Sequence, residues 1–120
     1  MSINHVVIGG NLTKDAELMQ TQSGKDILRF SVAVNEQRKN PNTGEYENHA
    51  NFLDCVTFGN RAKALANILK KGLRVCVSGS LRYSSWEKDG QKRSKIEIIA
   101  NDIDFMSARD KGVSNQPDYY

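Results

Sequence analysis

Asn51-Phe52-Leu53-Asp54-Cys55-Val56-Thr57-Phe58 is the stretch on which the fold and the function both turn. Read as a strand, its period of two puts Phe52, Asp54, Val56 and Phe58 on one face and Leu53, Cys55 and Thr57 on the other. Asp54 decides which face is wet, because burying an unpaired carboxylate is costly. Leu53 and Cys55 then face the interior, and two phenylalanines are presented in one row on a sheet surface. An exposed aromatic pair of this kind suggests a binding surface. In the inverted arrangement, Phe52 and Phe58 fill the core and Asp54 is hydrogen-bonded or sits at a barrel end.

Outward from this strand, the other elements follow from periodicity and turn residues. On its N-terminal side, Ile27–Glu36 alternates, with Leu28, Phe30, Val32 and Val34 on one face and Arg29, Ser31, Ala33 and Asn35 on the other. Polar loop residues Arg38 to Glu45 separate the two strands, and Ser23-Gly24-Lys25-Asp26 is a turn. Ile3–Leu12 is a first strand, with Gly9-Gly10 marking a bulge or a close approach. On the C-terminal side, Asn60 is a suitable N-cap and Gly72 a suitable C′ residue. Between them Ala62, Leu65, Ala66, Ile68 and Leu69 recur at helical spacing, and Lys70-Lys71 suit the negative end of the helix dipole. Leu73–Leu81 is a fourth strand running on toward Trp86, Asp89-Gly90 a hairpin turn, and Ser94–Met106 a fifth strand. Residues 108–120 have no periodicity and are expected to be a disordered tail to a domain spanning 1–107. Five strands with one helix between the third and fourth is the element order of an OB-fold, an all-β, five-stranded Greek-key barrel.

Charge separates along this chain. Its 120 residues hold 17 Lys and Arg against 14 Asp and Glu, a net of +3. Residues 61–95 contain ten of the bases, among them Lys71, Arg82, Lys88, Lys92 and Arg93, and only two acids, Glu87 and Asp89, a net of +8. The rest has seven bases and twelve acids, a net of −5. A concentrated basic stretch is the pattern of a polyanion binder, though a lysine-rich solvated surface has the same composition. The single tryptophan, Trp86, lies near the tip of the hairpin within this stretch. Aromatic faces interleaved with phosphate-tracking bases are what single-stranded nucleic acid requires, since every base offers a π-face. The competing arrangement folds Trp86 against its own opposite strand.

Asn11 to Leu18, Phe52-Leu53-Asp54-Cys55-Val56-Thr57-Phe58-Gly59, Ala66 to Gly72, and Gly79-Ser80-Leu81-Arg82 with Trp86 together resemble the bacterial single-stranded DNA-binding proteins over roughly residues 3–107. The resemblance implies an OB-fold, a homotetramer, and wrapping of single-stranded DNA in replication, recombination and repair. It implies base stacking at Phe52, Phe58 and Trp86. Phe52 replaces a frequent Trp, and Arg38 falls near the place of a fourth stacking aromatic, where a guanidinium plane can substitute. Leu53 replaces a His that some members use between subunits. Family members usually end in an acidic tip with a terminal Phe that recruits replication and repair proteins. This chain ends Asp118-Tyr119-Tyr120, with one acid in its last ten residues, so that recruitment is not carried over.

Other classes find little support. No run approaches 18 apolar residues, and Val6-Val7-Ile8 is too short for a signal h-region, so a cytoplasmic protein is expected. Cys55 and Cys76 lack CxxC spacing and read as buried core thiols. His49 and Cys55, or Asp102 and Asp104, could be imagined as reactive or metal-binding pairs, but inert core and solvated strand faces are the simpler explanations. No enzyme activity, cofactor or metal is expected. Two further possibilities stay open: a primosome-type or RNA-binding OB domain, and a protein-interaction OB domain whose Phe52–Phe58 row is a subunit contact.

Overall fold

The computed structural model describes residues 1–105. In chain order its elements are β1 (Val6–Leu12), β2 (Glu17–Gln20), β3 (Asp26–Lys39), β4 (Tyr46–Phe58), α1 (Asn60–Leu65), β5 (Arg74–Lys88) and β6 (Gln91–Phe105). The strands form one sheet in the order β1-β5-β6-β4-β3-β2, and β1 also pairs with β3 through Asn11↔Ala33 and Leu12↔Val32. That last pairing closes β1, β3, β4, β5 and β6 into the expected five-stranded barrel. The β4–β6 pairing is the parallel one, with Cys55 opposite Ile98. The helix lies between β4 and β5 in this numbering because β2, an appendage on the edge of β3, adds a sixth strand. All four β2 residues are exposed, so no hydrophobic alternation announces it.

The barrel interior is filled by the alternating rows. Leu28, Phe30 and Val32 of β3 meet Cys55, Val75, Val77, Ile98 and Ala100, with Leu53 and Val34 half-buried beside them. Burial pushes the Cys55 thiol up to about 12, as suits a core atom. Cys76 differs from the expectation. It is exposed, because Val75 and Val77 take the inward positions of β5 and leave Cys76 on the outer row beside Gly9 and Asp104. Two glycines are required by close backbone approach. A Cβ on Gly10 would run into the carbonyl of Ala33 at the barrel seam, and one on Gly79 into the carbonyl of Ile99. Gly79 sits at the register shift between Ser78 and Gly79, where β6 carries the extra residue, Asn101, of a β-bulge.

The helix is shorter than its apolar spacing suggests. It ends at Leu65, and Gly59, with φ 80°, is the N-cap in place of Asn60. Past Leu65 the chain closes with Ile68 N–H on the Leu65 carbonyl, and the Leu69 carbonyl accepts from Ala16 N–H. Leu69 N–H still bonds the Leu65 carbonyl, and tertiary bonds take over from the Leu69 carbonyl onward, with Gly72 N–H on the Leu12 carbonyl. Ala62, Leu65 and Leu69 still plug the core, whereas Ile68 is exposed and Lys70-Lys71 lie beyond any helix end. The first strand starts at Val6, three residues later than expected, because Asn4 is occupied with the backbone of Leu81, donating to its carbonyl and accepting from its N–H at 2.8 Å each. The Asp89-Gly90 turn has positive φ at both residues, 54° and 77°, the requirement of a two-residue type I′ hairpin. The expected tail from 108 onward lies outside the described residues.

Candidate nucleic-acid interface

The outer face of the sheet carries the candidate site. On β4 the assignment made from Asp54 holds: Phe52 is 68% exposed and Asp54 exposed, while Cys55 and Thr57 are buried. Val56 is the exception in the outer row. Flanked in register by Arg29 of β3 and Ile99 of β6, it is fully buried. Phe58, at the end of the row, is half-buried, with Lys25 Nζ 5.1 Å and the Arg82 guanidinium 5.7 Å from its ring centroid. These are cation–π distances.

The β5–β6 hairpin extends this face. Ladder pairs Arg82↔Glu97, Ser84↔Lys95, Trp86↔Arg93 and Lys88↔Gln91 place Arg82, Trp86, Lys88, Arg93 and Lys95 in adjoining rows on one side. Trp86 is 42% exposed and is not a core residue. Lys92 points to the other side of the ribbon, opposite Glu87.

Glu97 organises the centre of the face. Its carboxylate is 2% exposed and accepts from Arg82 Nη2 at 2.7 Å and Arg29 Nη1 at 3.1 Å, with Lys95 Nζ at 3.4 Å. Burial pushes its pKa up, but the hydrogen bond from Arg82 and the charges of Lys95 and Arg29 outweigh that and hold it below the usual carboxylate range. Three cations around one buried anion leave the cluster net positive. It also fixes where Arg82 lies over Phe58. Sequence patterning did not single out Arg29, Glu97 or Lys25. The one available signal was an acid, Glu97, inside the apolar run Ile96–Ile99.

The remaining candidates are scattered. Arg38 lies on the β3–β4 arm beyond the barrel, in the row continuing Leu28-Phe30-Val32-Val34, and its guanidinium is held by Glu36 at 2.8 Å. The bond from Arg38 keeps the Glu36 carboxyl below its ordinary value. Lys71 is in the turn before β5, at the far end of that strand from Trp86, with its backbone N–H donating to Asp15 Oδ1 at 2.8 Å. The basic stretch 61–95 therefore divides. Arg61, Lys63, Lys70, Lys71 and Arg74 surround the helix and the start of β5, and the rest line the hairpin. His49 faces Glu36, six residues along the strand from Cys55, and Asp102 and Asp104 are exposed beside Ser78 and Cys76. Among the described residues no group of three or more His, Cys, Asp or Glu could hold a metal ion, and no helix is long and apolar enough to cross a membrane.

Comparison with known proteins agrees with this geometry. The model of the single-strand binding protein family matches residues 3–106. The chain is 42% identical over 106 residues to a single-stranded DNA-binding protein of Treponema pallidum, covering 88% of this chain and 59% of that one. It is 41% identical over 116 residues to one of Borreliella burgdorferi, covering 95% and 76%. The solved structure of the Plasmodium falciparum SSB complex with ssDNA superposes with a TM-score of 0.79 at 28% identity, covering 89% of this chain and 97% of that one. A deletion mutant of the Thermus aquaticus single-stranded DNA-binding protein gives 0.77 at 29% identity, covering 89% and 52%.

Proposed function

Because the chain belongs to the single-strand binding protein family, we propose that it binds single-stranded DNA with little sequence preference, through the outer face built on Phe52, Phe58, Arg82 and Trp86. The observation that carries this reading is the aromatic row on β4 continuing, through Arg82 over Phe58, into a hairpin whose same side presents Trp86, Lys88, Arg93 and Lys95. Bases stack on the rings, at about 1–3 kcal/mol each. The cations take phosphates and release counterions. A duplex, whose bases are already paired and stacked, satisfies only the second interaction. Arg38, in the other row of the β3–β4 arm, and Lys71, in the turn before β5, lie apart from this face, and their part in the reading is confined to phosphate contact as a strand leaves it. Binding without catalysis is the proposed activity, with the cytoplasm as its place and replication, recombination and repair as its setting.

Self-association belongs to the same proposal, with a homotetramer as the assembly. The edge of β1 from Val6 to Gly10 that faces away from β5 is paired with no strand among the described residues, and Val7 is exposed. An open edge of this kind is a template for a second copy.

A salt series of oligo-dT titrations with mass measurement of the complex tests the whole reading. The expected result is a linear fall of log affinity with log salt, at about −0.7 per phosphate contacted, and a complex containing four chains. Absence of affinity for oligo-dT would overturn the binding function, and a monomeric complex the tetramer.

A further inference from the structure

We propose that Asp54 and the cleft beside it read the edge of a nucleobase, favouring bases that carry an exocyclic amino group over thymine. The inference rests on the proposed binding of single strands across this face. Asp54 stands two positions from Phe52 in the same outer row, so a base stacked on Phe52 brings its edge toward the carboxylate. Beside Asp54 opens a cleft of about 190 Å³, lined also by Ser31, Arg29, Lys95, Lys14 and Glu17. At about 30 Å³ per water, the cleft has room for a few waters that the edge of one base could displace. Ser31 faces Asp54 directly across the β3–β4 ladder.

The charges of the cleft are already distributed. Lys14 pairs with Glu17 at 3.1 Å, and Arg29 and Lys95 both face Glu97, at 3.1 and 3.4 Å. Asp54 is left as the acid of this lining with neither an ion pair nor a hydrogen bond among the described residues. An ionised carboxylate only accepts hydrogen bonds. Placed beside a stacked base, it matches an amino group and opposes a carbonyl. Cytosine offers its N4 amino donor where thymine offers the O4 acceptor. A carboxylate at this point gains nothing from phosphate, which it repels, so its contribution is to the base and not to the backbone.

The test compares oligo-dC with oligo-dT of equal length at one salt concentration, in the wild type, Asp54→Asn and Asp54→Ser. Any difference in self-stacking between the two free strands is the same for every variant and cancels in the change of the ratio, which isolates the edge. The expected result is that the dC to dT affinity ratio falls by about fivefold in Asp54→Asn, the low end for one base-edge pair, and falls also in Asp54→Ser. A ratio unchanged in both variants would overturn the inference, including the case in which both affinities rise together through loss of one negative charge. That result leaves single-strand binding standing. Failure of the wild type to bind either oligonucleotide removes the binding reading itself and the inference with it.

Discussion

The Arg82 guanidinium lies 5.7 Å from the centroid of the Phe58 ring and is held there by a 2.7 Å hydrogen bond to Glu97. A long flexible side chain on a strand surface ordinarily samples many rotamers, and fixing it costs up to about 2 kcal/mol of entropy. Here the folded barrel has met that cost before any ligand arrives. The cation is thereby preorganised over the Phe58 ring, at the end of the aromatic row that Phe52 leaves open for a base.

Glu97→Gln should destabilise the protein by about 1–2 kcal/mol at neutral pH. That is below the range for breaking a fully buried pair, because Arg29, Arg82 and Lys95 are 38–46% exposed and partly screened. The Glu97 pKa is depressed in the folded state, so its contribution is present above the unfolded value of about 4.3 and is lost as pH falls through the lower folded value. Denaturant unfolding of both forms should show a gap that is widest near neutrality and closes in acid. A gap independent of pH would remove the ionised hub from the account.

Gly79→Ala should cost about 1–3 kcal/mol, since the added methyl must displace the Ile99 backbone rather than a flexible side chain. Gly9→Ala, whose nearest contact would be an ordinary 3.8 Å, should be far milder. Thermal unfolding of the two variants separates them, and equal losses would count against the close approach at the bulge.

Phe52→Ala should change stability by less than about 0.5 kcal/mol, as a surface substitution does, while weakening oligo-dT binding by about 1–3 kcal/mol. Parallel unfolding and binding measurements check it. A loss of stability with binding intact would return the ring to a structural role.

Much of this was legible from residues. Asp54 alone oriented β4 correctly, the Leu28-Phe30-Val32-Val34 alternation located the core row, and Asp89-Gly90 fixed the hairpin. What escaped the sequence depends on contacts made across the fold. The exposed β2 has no pattern to show. The chain does not carry the helix on past Leu69, where the carbonyl accepts from Ala16 N–H, 53 residues away in sequence and therefore invisible to local periodicity. Glu97 meets Arg29 from a strand 68 residues away. The continuous basic stretch 61–95 proved to be two surfaces because β5 carries its ends to opposite parts of the barrel.

Trp86 gives the most direct measurement of the central claim, being the only tryptophan and 42% exposed on the proposed path. Its fluorescence should be strongly and saturably quenched as oligo-dT is added, and little changed by a duplex of the same length. An unchanged Trp86 spectrum at saturating oligo-dT would contradict stacking on this face.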